Sequence, residues 1–328
     1  MTPAELLKLS GGYWSSCALH SGVRLDLFSH LTDEPTSAAD IARLTSCDQR
    51  GMTMLLDALA ALELVLKGTN GYSATPLSAE FLSKKSERYL GYIIQHHQHL
   101  MTGWNRLDQA VKNGTPVGIS SSHTDDETIR ECFLMGMFNM ASQAAPVVVP
   151  SIDLGGRRRL LDLGGGPGTY AIHFCRHNPE LQAVIYDLPT TRTFAERTVE
   201  SFGLSHRITV VSGDITSDPI GKDFDVVWIS QLLHSEGPQS AAAILKKAAQ
   251  ALVPGGMIVV QEFILDNMRT APPFPALFSL NMLINTTHGQ SYSQGELEEM
   301  LANAGVTDIK RLDVELPSGA GIMMGTVA

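Results

Sequence analysis

Residues 160–170, LLDLGGGPGTY, run from an apolar stretch through an acid into a turn with three consecutive glycines. Gly164, Gly165, Gly166 and Gly168 let the backbone reverse sharply and approach a ligand closely, and Thr169 onward can open a helix. A dinucleotide fingerprint reads G-x-G-x-x-G and cradles a pyrophosphate at a helix N-terminus. Here the glycines read G-x-G-x-G, and Asp162 stands two residues before the first. A carboxylate at that place repels phosphate and welcomes a cation. S-adenosyl-L-methionine fits this inversion, since it carries an ammonium, a sulfonium and an adenosine but no phosphate.

The elements that must position such a turn follow over the next hundred residues. Gln182–Asp187 (QAVIYD) reads as a second buried strand ending in an acid. Asp187 lies 25 positions after Asp162, close to where a βαβ unit places a ligand for ribose hydroxyls. A third apolar run, 207–211, leads into Ser212-Gly213-Asp214-Ile215, where Asp214 can accept from an adenine amino group and Ile215 can cover the ring. A fourth strand, 224–229, ends at Ser230-Gln231-Leu232-Leu233-His234, and a fifth, 257–263, follows Pro254-Gly255-Gly256. Ligands of open α/β sheets bind outside the carboxyl ends of the strands, and every one of these polar residues falls at such an end.

The motifs DLGGGPG (162–168), YDLP (186–189), SGDI (212–215), LVPGG (252–256), FSLNML (278–283) and ELEEMLANAG (296–305) resemble, in order and spacing, the class I S-adenosylmethionine-dependent O-methyltransferases of the plant caffeate and bacterial polyketide-tailoring type. The resemblance covers nearly the whole chain. It implies a Rossmann-like α/β methyltransferase domain with a mostly parallel seven-stranded sheet, preceded by a mainly helical, winged-helix-like dimerisation domain. The corresponding boundaries are 1–100 for dimerisation, 101–145 for connecting helices that line the substrate pocket, and 146–328 for cofactor binding. The implied reaction is methyl transfer to a hydroxyl of a small aromatic or polyketide-like acceptor by a homodimer. Carried over by position, Gly164 and Gly166 make backbone contacts to the cofactor, Asp187 binds the ribose, Asp214 and Ile215 the adenine, and Ser230 lies near the methionine moiety. Asp162 holds the ammonium indirectly or supports the turn.

His234 matches the family's catalytic histidine, and Glu262 a carboxylate that flanks it. In-line transfer needs the acceptor oxygen about 3 to 3.5 Å from the methyl carbon and a base for its proton. A phenol with a pKa near 10 gives its proton to an imidazole near 6.5 at a cost of about 5 kcal/mol, which a sulfonium and a flanking carboxylate can offset. Two family supports are missing. The acid and tryptophan that follow the histidine in the family are Ser235 and Glu236 here, and the second flanking glutamate aligns with Ser291. The alternatives are that Glu236 or His288 takes over, that the acceptor is already acidic, or that the chain is a non-methylating relative of hydroxylase or cyclase type; N- or C-methylation of a similar scaffold also stays open. His288 either projects into the pocket or stands in water. Met137 and Met140, in a Met-rich helix over 129–142, are further pocket candidates, although stripes of this kind also serve as core.

The chain has 24 basic and 34 acidic residues, a net charge of −10, which argues against nucleic acid or an anionic membrane as partner. The opening MTPAELLKLS lacks a charged start followed by an apolar core, and no run of ~18 uninterrupted apolar residues occurs, so a cytoplasmic enzyme is expected. Cys17, Cys47, Cys132 and Cys175 form no C-x-x-C pair and read as free thiols. In the N-terminal third, helices over 38–44 and 49–62 and a hairpin over 65–73 outline a winged helix whose second helix is too apolar to read DNA. Tyr13, Trp14 and His20 either close part of a partner's active site or simply pack an interface. His96 and His99 share a helical face within 87–113, but no nearby acid or cysteine completes a set, so no metal is expected.

Overall fold

The computed structural model describes residues 1–118, 124 and 126–328, which divide into two compact units, 1–101 with 126–139 and 102–125 with 140–328. The connecting segment expected over 101–145 therefore does not stand apart; its described residues are shared between the units.

The first unit contains α1 (Pro3–Ser10), α2 (Tyr13–Arg24), α3 (Ala38–Leu44), α4 (Gln49–Ala61), the hairpin β1 (Val65–Gly68) and β2 (Gly71–Ala74), and α5 (Pro76–Phe81). Ser37 and Asp48 cap α3 and α4 by accepting from Asp40 and Gly51 N–H groups, which fixes both helix starts. Only glycine fits at 71, where φ is +134° and a Cβ would lie 2.4 Å from the Thr36 carbonyl oxygen. Val23, Leu27, Phe28, Ile41, Leu56, Leu59 and Tyr72 fill the core. By contrast α1 buries no residue, and Leu6, Leu7, Leu9, Tyr13 and Trp14 are exposed.

The expected long helix over 87–113 is two, α6 (Gly91–Trp104) and α7 (Leu107–Asn113). The break lets Arg106 donate to the Val117 carbonyl, while the Val117 and Gly118 N–H groups donate to the carbonyl of Ile284. The Met-rich helix, α8 (Glu127–Val148), runs past the expected end and carries Pro146. By length and apolar content alone α8 could cross a membrane, but Ala145 and Val148 are fully buried in the core of the second unit.

That core surrounds a seven-stranded sheet of β3 (Arg159–Leu163), β4 (Gln182–Asp187), β5 (Ile208–Ser212), β6 (Phe224–Ser230), β7 (Leu252–Phe263), β8 (Val306–Arg311) and β9 (Ala320–Val327), in the order β5-β4-β3-β6-β7-β9-β8. The first five are parallel, β9 is antiparallel to β7, and β8 at the far edge is antiparallel to β9. Parallel strands are covered on both faces, which is why β3, β6 and β7 read as near-continuous apolar runs. One face packs under the end of α8, α9 (Thr169–His177) and α10 (Arg192–Ser201), with Trp228 against Tyr170 and Phe174. The other lies under α11 (Pro238–Gln250) and α13 (Gln294–Asn303). The chain leaves β3 toward β4 and β5 and returns on its other side as β6, so a switch point opens between β3 and β6.

Candidate active site at the carboxyl ends of the strands

The glycine turn sits at this switch point. Gly164, Gly166 and Gly168 all have positive φ, and a Cβ on Gly166 would meet nothing within 4 Å, so the turn leaves open space above it. A Cβ on Gly165 would lie 2.7 to 3.0 Å from the Asp162 carboxyl, so this glycine makes room for the acid beneath. Asp162 is 1% exposed and accepts one N–H bond, from Ala171 at the start of α9. Burial pushes its carboxyl up to about 7, partly offset by the Ala171 bond and aided by the nearby Asp187 charge. It supports the turn from beneath.

Asp187, at the end of β4, accepts from the N–H groups of Gly166 and Leu188, each at 2.7 Å. Its carboxyl is raised by burial, against the pull of those two bonds and of Thr191. Asp214 is exposed and one of its oxygens accepts from both the N–H and the hydroxyl of Thr216, so it caps its own turn. Ile215 beside it is half-buried, and its carbonyl accepts from Lys247 Nζ. Burial pushes the Tyr170 phenol up to about 12, against the pull of Gln261 and of Ser230 at the end of β6. Buried polar atoms at this end of the sheet have no partner among the described residues, among them Thr169 Oγ1, Ser212 Oγ and Gln261 Oε1. An open glycine cradle, two enclosed acids and unpaired buried polar atoms fit a cationic nucleoside such as S-adenosylmethionine.

The second half of the site is built across strands. His234 Nδ1 lies 2.8 Å from Glu262 Oε2, and Glu262 Oε1 accepts from the N–H groups of Leu233 (2.8 Å) and His234 (3.4 Å). Glu262 is 1% exposed. A carboxylate offers acceptors only, so the contact with Glu262 selects a ring with its proton on Nδ1, and Nε2 makes no hydrogen bond to any described residue. The imidazole is edge-on to Phe278 (4.8 Å between centroids) and stacks toward Phe263 (6.3 Å), and Phe274 completes an aromatic wall with these two. Phe274 and Phe278 stand one turn apart on α12 (Pro273–Asn285).

Sequence reasoning missed Asn281, the next turn of the same helix. Its Oδ1 accepts from Trp104 Nε1 and Asn285 Nδ2, both at 3.1 Å, which fixes the amide and leaves Nδ2 as a donor without a partner among the described residues. The signal was the N of FSLNML, but nothing local marks it as polar and buried.

The departures from the family pattern are accounted for locally. Ser291 Oγ donates to the Pro275 carbonyl, and Glu236 accepts from Ser240 in the first turn of α11. His288 is exposed, with its Cβ beside Gly237. None of the three bonds to His234, which leaves Glu262 as its one carboxylate partner among the described residues. On α8, Met137 is half-buried and Met140 exposed. His96 is buried against Phe133, and its imidazole falls to about 4 because burial disfavours the cation. Among the described residues no group of three His, Cys, Asp or Glu side chains is arranged to hold a metal ion.

Comparison with known proteins agrees with this geometry. Residues 104–307 match the family model of the O-methyltransferase domain, and residues 7–84 that of the O-methyltransferase dimerisation domain. The chain is 29% identical to 3-hydroxy-5-methyl-1-naphthoate 3-O-methyltransferase of Streptomyces sahachiroi, over 99% of this chain and 96% of that protein. It is also 29% identical to the tetracenomycin polyketide synthesis 8-O-methyl transferase TcmO of Streptomyces glaucescens, over 98% and 96%. Among solved structures it resembles PigF with SAH, at 25% identity and a TM-score of 0.89, covering 99% of this chain and 100% of that one. The glycine cradle at the β3–β6 switch, the His234–Glu262 pair and the two matched domains identify the chain as a member of the S-adenosylmethionine-dependent O-methyltransferase family.

Proposed function

We propose that His234 is the general base for methylation of a hydroxyl on a small, flat aromatic or polyketide-like acceptor. The observation that carries this reading is the Nδ1 contact to a buried Glu262, which turns the basic Nε2 of the imidazole outward. The acceptor hydroxyl gives its proton to Nε2, and Glu262 stabilises the imidazolium that forms, as a charge-assisted hydrogen bond in an apolar setting does. S-adenosylmethionine, when bound, supplies the electrophilic methyl group. Gly164 and Gly166 contact it through their backbone, Asp187 holds its ribose, Asp214 and Ile215 its adenine, Ser230 its methionine end, and Asp162 holds its ammonium indirectly or supports the turn. Phe263, Phe274 and Phe278 offer a wall for a flat ring, the Asn281 amide offers a donor to a second oxygen, and Met137, Met140 and His288 are further candidates for the acceptor's surroundings.

The naphthoate and polyketide substrates named for the two relatives support this acceptor class. The reading extends to a homodimer formed through residues 1–100, supported by the dimerisation-domain match and by the apolar side chains left exposed on α1 and at Tyr13 and Trp14. It extends also to a cytoplasmic enzyme with no nucleic-acid or membrane partner, in keeping with its acidic charge. The test is methyl transfer from labelled cofactor to 3-hydroxy-1-naphthoate, 1-naphthol and 3-amino-1-naphthoate, with products identified by mass. O-methylated naphthoate or naphthol is expected. Methylation of the amine alone would overturn the acceptor assignment.

A further inference from the structure

Tyr292 is 1% exposed and lies in the short connection between α12 and α13, far in sequence from the catalytic pair. Its hydroxyl donates to the Glu236 carbonyl at 2.6 Å. Its own carbonyl accepts from Leu265 N–H at 3.0 Å, just beyond the end of β7, and Ser293 bridges Leu265 in a parallel sense. The residue is thus fastened by its backbone to the strand that presents Glu262, and by its side chain to the turn that presents His234. Burial is the main cause that raises its phenol above the ordinary range, and the next is the negative charge of Glu262, which places it in the electrostatic reach of the catalytic carboxylate.

The turn it grips is short. Leu233–Ser235 form one turn of 3₁₀ helix, with Glu236 N–H donating to Leu233 and the Ser235 hydroxyl donating to Leu232. At its first residues this turn is held by Glu262 Oε1, and at its last by Tyr292. The helix that follows, α11, has no side-chain cap at Gly237, and the bond of Glu236 with Ser240 ties the exit of the turn to its first residues.

We propose that Tyr292 is a positioning residue: it closes a bracket across β7 and the His234 turn so that Nδ1 of His234 stays on Glu262. The inference rests on the reading of His234 as the base. Without the hydroxyl, the turn keeps Glu262 at its start and the Glu236–Ser240 bond at its exit but loses its tie to the α12–α13 connection. A hydrogen bond of ordinary net worth corresponds to a factor of a few to about ten in a conformational equilibrium.

The test is Tyr292→Phe in the full-length protein saturated with S-adenosylhomocysteine, following the downfield His234 Nδ1 proton by NMR and its exchange with water. The account expects exchange about tenfold faster than in the parent, kcat with 3-hydroxy-1-naphthoate reduced by a similar factor, cofactor affinity kept, and Tm lowered by no more than a few degrees. Unchanged exchange overturns the proposal. So does a parallel fall of Tm, cofactor affinity and kcat with the Nδ1 proton unaltered, which is the pattern of plain packing. If the variant does not fold, 2,3-difluorotyrosine at position 292 keeps the ring and makes a stronger donor; slower exchange then supports the bracket and no change overturns it. The exchange readout needs no acceptor, so failure of the naphthoate assay is distinguishable from failure of this inference.

Discussion

The two halves of the site, one at the ends of β3 and β4 and the other at the ends of β6 and β7, are built by opposite means. The first is mostly backbone: a turn with three positive-φ glycines, a buried Asp162 beneath it, and Asp187 accepting from the turn's own Gly166 N–H. The second is side chains, with His234 and Glu262 joined from adjacent strand ends, Phe278 and Asn281 brought in by α12, and Tyr292 by the segment after it. A backbone site recognises what is common to every turnover, the cofactor, and tolerates little change of sequence. A side-chain site can be refitted to a new acceptor by exchanging single residues.

This contrast sets where substitutions should act. His234→Ala should lower kcat by about 10² to 10⁴, the usual contribution of a positioned base, while calorimetric titration finds cofactor affinity unchanged. Loss of cofactor affinity in that variant would mean the two halves are not separable. Asp187→Ala should do the reverse and weaken S-adenosylmethionine at least tenfold, since a hydrogen-bonding charged group contributes roughly 1.5 to 3 kcal/mol. Unchanged affinity in the same titration would remove Asp187 from the ribose site.

The smallest effect concerns pH. The folded protein holds the Asp162 proton more tightly than the unfolded chain does, with the pKa raised from 3.8 to about 7. Its stabilising contribution is therefore complete below 3.8 and is lost as pH rises through about 7. Asp162→Asn keeps an acceptor for Ala171 and cannot ionise. Cofactor-free parent protein should lose Tm relative to this variant between about pH 4 and 7 and level off above that; parallel curves would show that Asp162 is not buried as a titrating acid.

The same contrast explains what was legible in the sequence. Strands β3 to β7 could be read because buried parallel strands are short apolar runs that end in acids or glycines, and Gln182–Asp187 falls on β4. The last two strands were not located, for β8 (VTDIKR) is largely exposed and β9 (AGIMMGTV) has neither alternation nor a bounding turn motif. The glycine turn declared itself through spacing. No spacing joins His234 to Glu262, or Tyr292 to Glu236; the first pair came from the family resemblance, and the second only from the topology that lays the α12–α13 connection beside the end of β7. Asp214 was read as an adenine ligand, and the structure adds that one of its oxygens is already spent on Thr216.

The most direct test of the central claim is a crystal structure with S-adenosylhomocysteine and 3-hydroxy-1-naphthoate bound. The account predicts that His234 Nε2 faces the acceptor oxygen, that this oxygen lies on the line to the cofactor sulfur with room for a methyl group between them, and that Glu262 remains on Nδ1. An imidazole turned away from the sulfur, or a closed space in front of it, would contradict His234 as the base.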